Sequence, residues 1–192
     1  MAASILEQAK KQFVRGNYQQ VIQLLEPHVT QYIASGDTKD TLYNASFNKS
    51  FPFYLYLGLA CLHAGDIGGA VDYLTCARRI KMTDPDLLCA QAVLFLRRGD
   101  TARAIDYYLE AVEYSPNHVL ARSGLEFIRT HNTPESIGEA VQSGEIKKFY
   151  PRPGVQAYKQ KRIVTIAGVA AVALAAVVGA LVFVKFPFTL GV

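Results

Sequence analysis

Apolar and polar positions divide the chain into two regimes. From Met1 to Tyr150 the apolar residues come in short amphipathic runs punctuated by Gly-Asp, Pro and Asn. From Ile163 to Val184 they form one unbroken stretch without a charge, built of Ala, Val, Ile, Leu, Phe, two Gly and one Thr. At about 1.5 Å per residue that stretch makes a helix of roughly 33 Å, against a bilayer hydrocarbon core of about 30 Å. The pattern predicts one membrane-spanning helix over 163–184, followed by a short translocated tail over 185–192. Residues Met1-Ala2-Ala3-Ser4-Ile5-Leu6-Glu7-Gln8 lack the basic stub and apolar run of a secretory signal and begin an amphipathic helix instead. The C-terminal stretch is therefore the expected targeting element.

Within the first regime the pattern repeats. Gly65-Asp66 recurs as Gly99-Asp100, Ala70 as Ala104, Asp72-Tyr73 as Asp106-Tyr107 and Ala77 as Ala111, every pair standing at i and i+34. Small residues at Gly58, Ala70, Ala77, Ala92, Ala104 and Ala111 suit the crossing of two antiparallel helices. Larger ones at Tyr54, Leu57, Leu74, Leu88, Phe95 and Tyr108 fill the space between neighbouring pairs. Each Gly-Asp predicts a turn, with Gly supplying a permissive backbone and Asp capping the next helix. A single pair cannot bury its apolar face, so stacking of about three repeats with caps is expected. Ser115-Pro116-Asn117 opens a predicted helix over about 118–130, and Thr133-Pro134-Glu135 opens another, with Thr133 as its N-cap.

These residues resemble the tetratricopeptide repeat pattern, aromatic-x2-Leu-Gly-x2-Tyr, then Ala-x3-Phe, then Ala and Pro. One repeat meets it with Tyr54, Leu57, Gly58, Cys61, Ala70, Leu74 and Ala77, and the next with Leu88, Ala92, Phe95, Ala104, Tyr108, Ala111 and Pro116. A weaker earlier copy shows in Ala9, Gly16-Asn17-Tyr18, Ile22 and Leu25. The step from Gly16 to Gly65 exceeds one such period by roughly 15 residues, which predicts an insertion covering Gly36-Asp37-Thr38-Lys39-Asp40 and Asn44 to Ser50. The expected fold is all-α: a superhelix over 1–150 with repeats at about 2–35, 51–84 and 85–118 and a cap over 119–146. A linker over 151–162 and the spanning helix follow. The cap reads as a degenerate fourth pair, closed by Tyr150-Pro151-Arg152-Pro153-Gly154, which cannot continue a helix.

Charge refines this layout. The formal net charge is +4, yet Lys147, Lys148, Arg152, Lys159, Lys161 and Arg162 cluster before the apolar stretch, with Lys185 after it. Without these seven, Met1 to Ile146 holds 13 basic and 16 acidic residues, a net of −3. A mildly acidic domain argues against nucleic-acid binding. The basic cluster places the N-terminal domain on the cytoplasmic side by the positive-inside bias. It either sets topology alone or adds about 1 kcal/mol per residue beside anionic headgroups. Within the spanning stretch Ala167, Ala171, Ala175 and Gly179 form a small-residue stripe of the kind that lets helices approach, or one that arises from Ala-rich composition.

Catalytic chemistry is not evident. His28, His63, His118 and His131 are scattered without zinc-ligand spacing, and Cys61, Cys76 and Cys89 fall at apolar repeat positions, so no metal, cofactor or nucleophile is expected. What the resemblance implies is a protein-binding groove lined by the first helix of each repeat. On this chain the groove positions are Leu6, Lys10 and Phe13, then Leu55, Leu59, Leu62 and His63, then Cys89, Val93, Leu96 and Arg97. The Lys, Asn and Arg clamp for a C-terminal carboxylate, implied by the chaperone-binding branch of the family, is missing. An apolar groove of this extent takes a partner's helix or peptide, a second copy of the domain, or the chain's own aromatic insertion (Tyr43, Phe47, Phe51). The expected function is that of a membrane-anchored adaptor that holds a protein partner against the bilayer. The alternative is a structural subunit of a larger membrane assembly, with the groove permanently filled.

Overall fold

The computed structural model describes residues 4–29 and 50–155, and within them every element is helical. The order is α1 (Ile5–Arg15), α2 (Tyr18–Leu25), α3 (Phe51–Ala64), α4 (Ile67–Ile80), α5 (Pro85–Arg97), α6 (Thr101–Tyr114), α7 (Val119–Thr130) and α8 (Pro134–Gln142), then a 3-10 turn over Glu145–Phe149. The all-α class read from the sequence is present in the described residues. The chain divides into units at Pro153, and of the second unit only Gly154 and Val155 are described. Among the described residues no helix is long and apolar enough to cross a membrane. The stretch 163–184, its stripe Ala167, Ala171, Ala175 and Gly179, the linker residues Lys159, Lys161 and Arg162 and most of the insertion (30–49) lie outside them.

Local chemistry explains where each helix starts and stops. Asp66, Asp84 and Asp100 each accept a backbone N–H from the first turn of the helix they precede, Gly69 at 3.0 Å, Leu87 at 3.2 Å and Arg103 at 3.1 Å. Such a carboxylate satisfies an otherwise orphan donor and faces the positive end of the helix dipole. Ser4 and Thr133 cap α1 and α8 in the same way. At the other ends Gly16, Gly65 and Gly99 take left-handed backbone (φ +84°, +91° and +75°), and the N–H after Gly65 returns to the Cys61 carbonyl at 2.9 Å. That geometry ends a helix and turns the chain within a few positions.

Tight turns make antiparallel hairpins of α3 with α4 and of α5 with α6, while α1 packs on α2. The second helix of each pair then packs on the first helix of the next: α2 on α3, α4 on α5 and α6 on α7. Helix starts keep the i, i+34 spacing of the sequence, from Phe51 to Pro85 to Val119 and from Ile67 to Thr101. At the α3–α4 crossing a Cβ on Gly58 would lie 2.7 Å from Leu74 Cγ and 3.0 Å from the Leu74 backbone nitrogen, so the helices meet where only hydrogen fits. Gly124 gives the same clearance to the ring of Tyr108, joining α7 to α6. Helices α3 and α5 are buried on nearly all sides, and they form the axis of the core.

One polar hub ties three helices together. Arg78 on α4 donates to Gln91 Oε1 on α5 at 2.8 Å, pairs with Glu110 on α6 at 3.2 Å and lies 4.6 Å above the ring of Tyr107. It gives the buried Gln91 amide a charged partner.

The last elements depart from the expected fourth pair. Helix α8 starts where the repeat would place it, but its main contacts are with α5 and the 3-10 turn rather than with α7. Pro134, Ile137 and Val141 line the same crevice as Leu96 and Arg97 at the end of α5. The chain thereby folds back across the first helices of the pairs.

Candidate functional site

Most of the expected groove residues are inside the fold. Phe13, Leu55, Leu59, Leu62, Cys89, Val93 and Leu96 are all buried, none more than 5% exposed. Leu6 and Lys10 are half-buried, and Lys10 pairs with Glu7 at 2.7 Å on the surface of α1. Arg97 is half-buried and points into the fold-back described next. An open apolar channel along these positions is therefore replaced by a closed one. Neighbouring helices pack around α3 and α5, and the 3-10 turn with the residues after it lies over their last turns, at His63 and Arg97.

That cover is the segment from Glu145 to Pro153. Ile146, Phe149, Tyr150 and Pro151 are buried, while Glu145, Lys147, Lys148 and Arg152 are exposed. Burial of each large apolar side chain stabilises the closed arrangement by about 2 kcal/mol. Two polar side chains hold it. Arg97 Nη1 donates to the Tyr150 hydroxyl at 2.8 Å, and His63 Nε2 meets the Pro151 carbonyl at 3.0 Å. His63 and Arg97 are themselves an i, i+34 pair, at the same position in the last turns of α3 and α5. The repeat thus sets two donors side by side, aimed at one segment.

The imidazole of His63 is packed as well as bonded. It stacks on Tyr18 with ring centroids 4.3 Å apart, meets the edge of Phe13 at 5.8 Å and of Tyr150 at 5.2 Å. A carbonyl only accepts, so Nε2 carries a proton. Burial lowers the imidazole below its ordinary value of 6.5; the bond to Pro151 opposes that shift and the charge of Arg152 adds to it. The neutral ring is the form that fits.

A second constellation has no counterpart in the sequence pattern. Cys89 Sγ lies 3.5 Å from His118 Nδ1, and His118 Nε2 lies 3.4 Å from Asp86 Oδ1. The composition is that of a nucleophile triad, yet the geometry is that of a helix cap. His118 Nδ1 also accepts the Ala121 N–H at 3.3 Å at the start of α7, which occupies the lone pair a general base would use. Burial pushes the Cys89 thiol well above its usual range, and the sulfur has no surface from which to meet a substrate. Asp86 is also raised, by burial first, against the lowering effect of His118. Among the described residues no group of three or more His, Cys, Asp or Glu is placed to hold a metal ion.

Of the basic residues, Lys147, Lys148 and Arg152 lie on the solvent side of the cover, with Lys148 paired to Glu145 at 2.6 Å. Sequence reasoning makes Tyr150 and Pro151 a domain-closing stretch and gives Ile146 and Phe149 no role. The signal that marks all four is apolar residues at i, i+3, i+4 and i+5 within an otherwise basic run after Gly144. Comparison with protein-family models, with curated proteins and with solved structures finds no match for this chain.

Proposed function

We propose that this chain is a membrane-anchored tetratricopeptide-repeat adaptor, which holds a protein partner at the cytoplasmic face of a membrane. Its binding surface is the face presented by the first helices of the repeats. The observation that carries the reading is the i, i+34 recurrence of Gly-Asp turns joining packed helix pairs, followed in the sequence by the uncharged apolar stretch from Ile163 to Val184. Repeat pairs with this packing offer one extended face rather than a pocket, which suits a peptide or helix more than a small substrate. The role is co-localisation: a tether raises the effective concentration of the bound partner beside the bilayer. The raised Cys89 thiol and the capping geometry of His118 favour binding over catalysis.

A second reading is favoured by the closed face. With Ile146, Phe149 and Tyr150 seated on it, the domain is also suited to be a fixed subunit of a membrane assembly whose groove stays filled. The test is a comparison of the full chain with a variant lacking 163–184, followed by carbonate extraction, protease protection and proximity labelling. Extraction-resistant full chain, a protease-accessible N-terminal domain and neighbours lost on removing the anchor support the adaptor. An unanchored full chain, or neighbours that never exchange, count against it.

A further inference from the structure

The segment over the first helices has the character of a bound peptide. Left-handed glycines stand at both ends, Gly144 at φ +78° and Gly154 at φ +80°. Between them one set of side chains faces in and the other faces out, with Ile146, Phe149, Tyr150 and Pro151 inside. Its backbone bonds are local, Lys147 N–H to Gly144 and Tyr150 N–H to Lys147. The polar ties to the repeats come from side chains, Arg97 to the Tyr150 hydroxyl and His63 to the Pro151 carbonyl. Phe149 completes the contact, packing 4.9 Å from the ring of Phe127. Lifting the segment breaks no strand pairing and none of the helices α1 to α8.

We propose that the ends of α3, α5 and α7 form a docking surface for a peptide of the class aliphatic-x-x-aromatic-aromatic-Pro, and that residues 145–153 are its resident competitor, displaced by a partner segment of that chemistry. This inference deepens the adaptor reading and rests on it. The resident segment defines the recognition rules. An aliphatic and an aromatic side chain fill the apolar floor, a phenol meets the Arg97 guanidinium, and a carbonyl held rigid by proline meets His63. Lys147, Lys148 and Arg152 point away and set no requirement. As an intramolecular ligand the segment has an effective concentration on the order of millimolar. A dilute free peptide competes poorly with that, whereas a partner confined to the same membrane is concentrated in its turn. Recruitment is thereby restricted to partners already at the bilayer.

The experiment uses the full chain in detergent micelles and a fluorescein-labelled peptide copying residues 144–154, with a scrambled peptide as control. Binding is read by anisotropy for the wild type, for Phe149→Ser/Tyr150→Ser, which weakens the resident segment, and for that variant with Arg97→Ala. The expected result is that the double variant binds the peptide at least about tenfold tighter than the wild type, that Arg97→Ala takes back about tenfold, and that the scrambled peptide does not bind. A double variant that keeps its helical circular dichroism and ignores the peptide, or binds the scrambled one equally, overturns the proposal. If the double variant does not fold, hydrogen exchange on the wild type decides. Amides 145–150 exchanging well before those of α5 support displacement, and exchange together with α5 overturns it. Failure here with neighbours still recruited at the membrane leaves the adaptor reading standing, whereas peptide binding without recruited neighbours counts against the adaptor alone.

Discussion

The imidazole of His63 donates to the carbonyl oxygen of Pro151 at 3.0 Å, joining the last turn of α3 to a residue 88 positions further along the chain. The bond needs a proton on Nε2, which the neutral ring supplies, and it is burial rather than the bond that keeps the ring neutral by lowering its proton affinity. Because the folded-state value lies below 6.5, the folded state excludes a proton that the unfolded chain accepts. The contribution is complete above about pH 6.5 and is lost as pH falls through the lowered value. Acidification is expected to loosen residues 145–151 before the repeats melt. Hydrogen exchange across pH 7.5 to about 5 checks this, and His63→Ala removes the pH dependence of the segment.

Tyr150 separates the hydrogen bond from the burial. Tyr150→Phe keeps the ring and loses the Arg97 partner, which is expected to cost about 1–2 kcal/mol. Tyr150→Ala also empties space under the segment and is expected to cost about 3 kcal/mol. Urea unfolding of the full chain in detergent, followed by circular dichroism, measures both. Equal losses would show that the bond contributes nothing beyond packing.

Two helical glycines have opposite surroundings. A Cβ on Gly58 would press on Leu74 at 2.7 Å, while one on Gly138 meets nothing within 4 Å. Gly58→Ala is expected to destabilise by about 1–3 kcal/mol, because the α3–α4 crossing must open. Gly138→Ala lies within α8 and is expected to stabilise slightly, by less than about 1 kcal/mol, through helix propensity. Melting temperatures of the two variants should move in opposite directions.

The hub at Arg78 is expected to behave as a unit. Arg78→Ala leaves the buried Gln91 amide without its charged partner and is expected to cost about 1–3 kcal/mol. Gln91→Met, which removes the orphan, is expected to recover part of that loss. A double-mutant cycle between the two positions measures the coupling.

The three thiols supply a simple check on the core. Cys61, Cys76 and Cys89 are all free and buried, and burial raises each of them, Cys61 to about 12. The native chain is expected to resist a thiol reagent at pH 8 and to label at all three positions in denaturant. Rapid native labelling at Cys89 would contradict both its burial and its place beside His118.

The exclusion of solvent from the first helices also changes what a groove substitution means. Leu59 is fully buried, so Leu59→Asp places a charge in the core and unfolds the domain instead of probing a surface. Arg97 and His63 are the groove positions at which a change tests recognition without removing an apolar core side chain.

Helical class, turns and caps were legible in the sequence because they depend on neighbours a few positions away. Asp66, Asp100 and Thr133 cap helices for the same reason in any fold that lets the helix form. The spacing of Gly65 and Gly99 marks where the chain reverses, and Gly58 marks a close crossing. The candidate site was only partly legible. The resemblance pointed to the first helices and included both His63 and Arg97, but it left their partner unnamed. Sequence also could not reveal that Cys89, Asp86 and His118 converge, since the thiol and the imidazole come from different helix pairs.

The sequence by itself determined the local elements, their i, i+34 spacing and the apolar faces that have to be covered. Only the tertiary structure decided what covers them. After Gly144 the chain leaves the repeat and returns over the last turns of α3 and α5, following α8, which packs against α5 rather than α7. Periodicity and capping are energies between near neighbours, so they can be read along the chain. The contact of Tyr150 with Arg97 and of Pro151 with His63 is set by the placement of whole helices, and no local pattern encodes it.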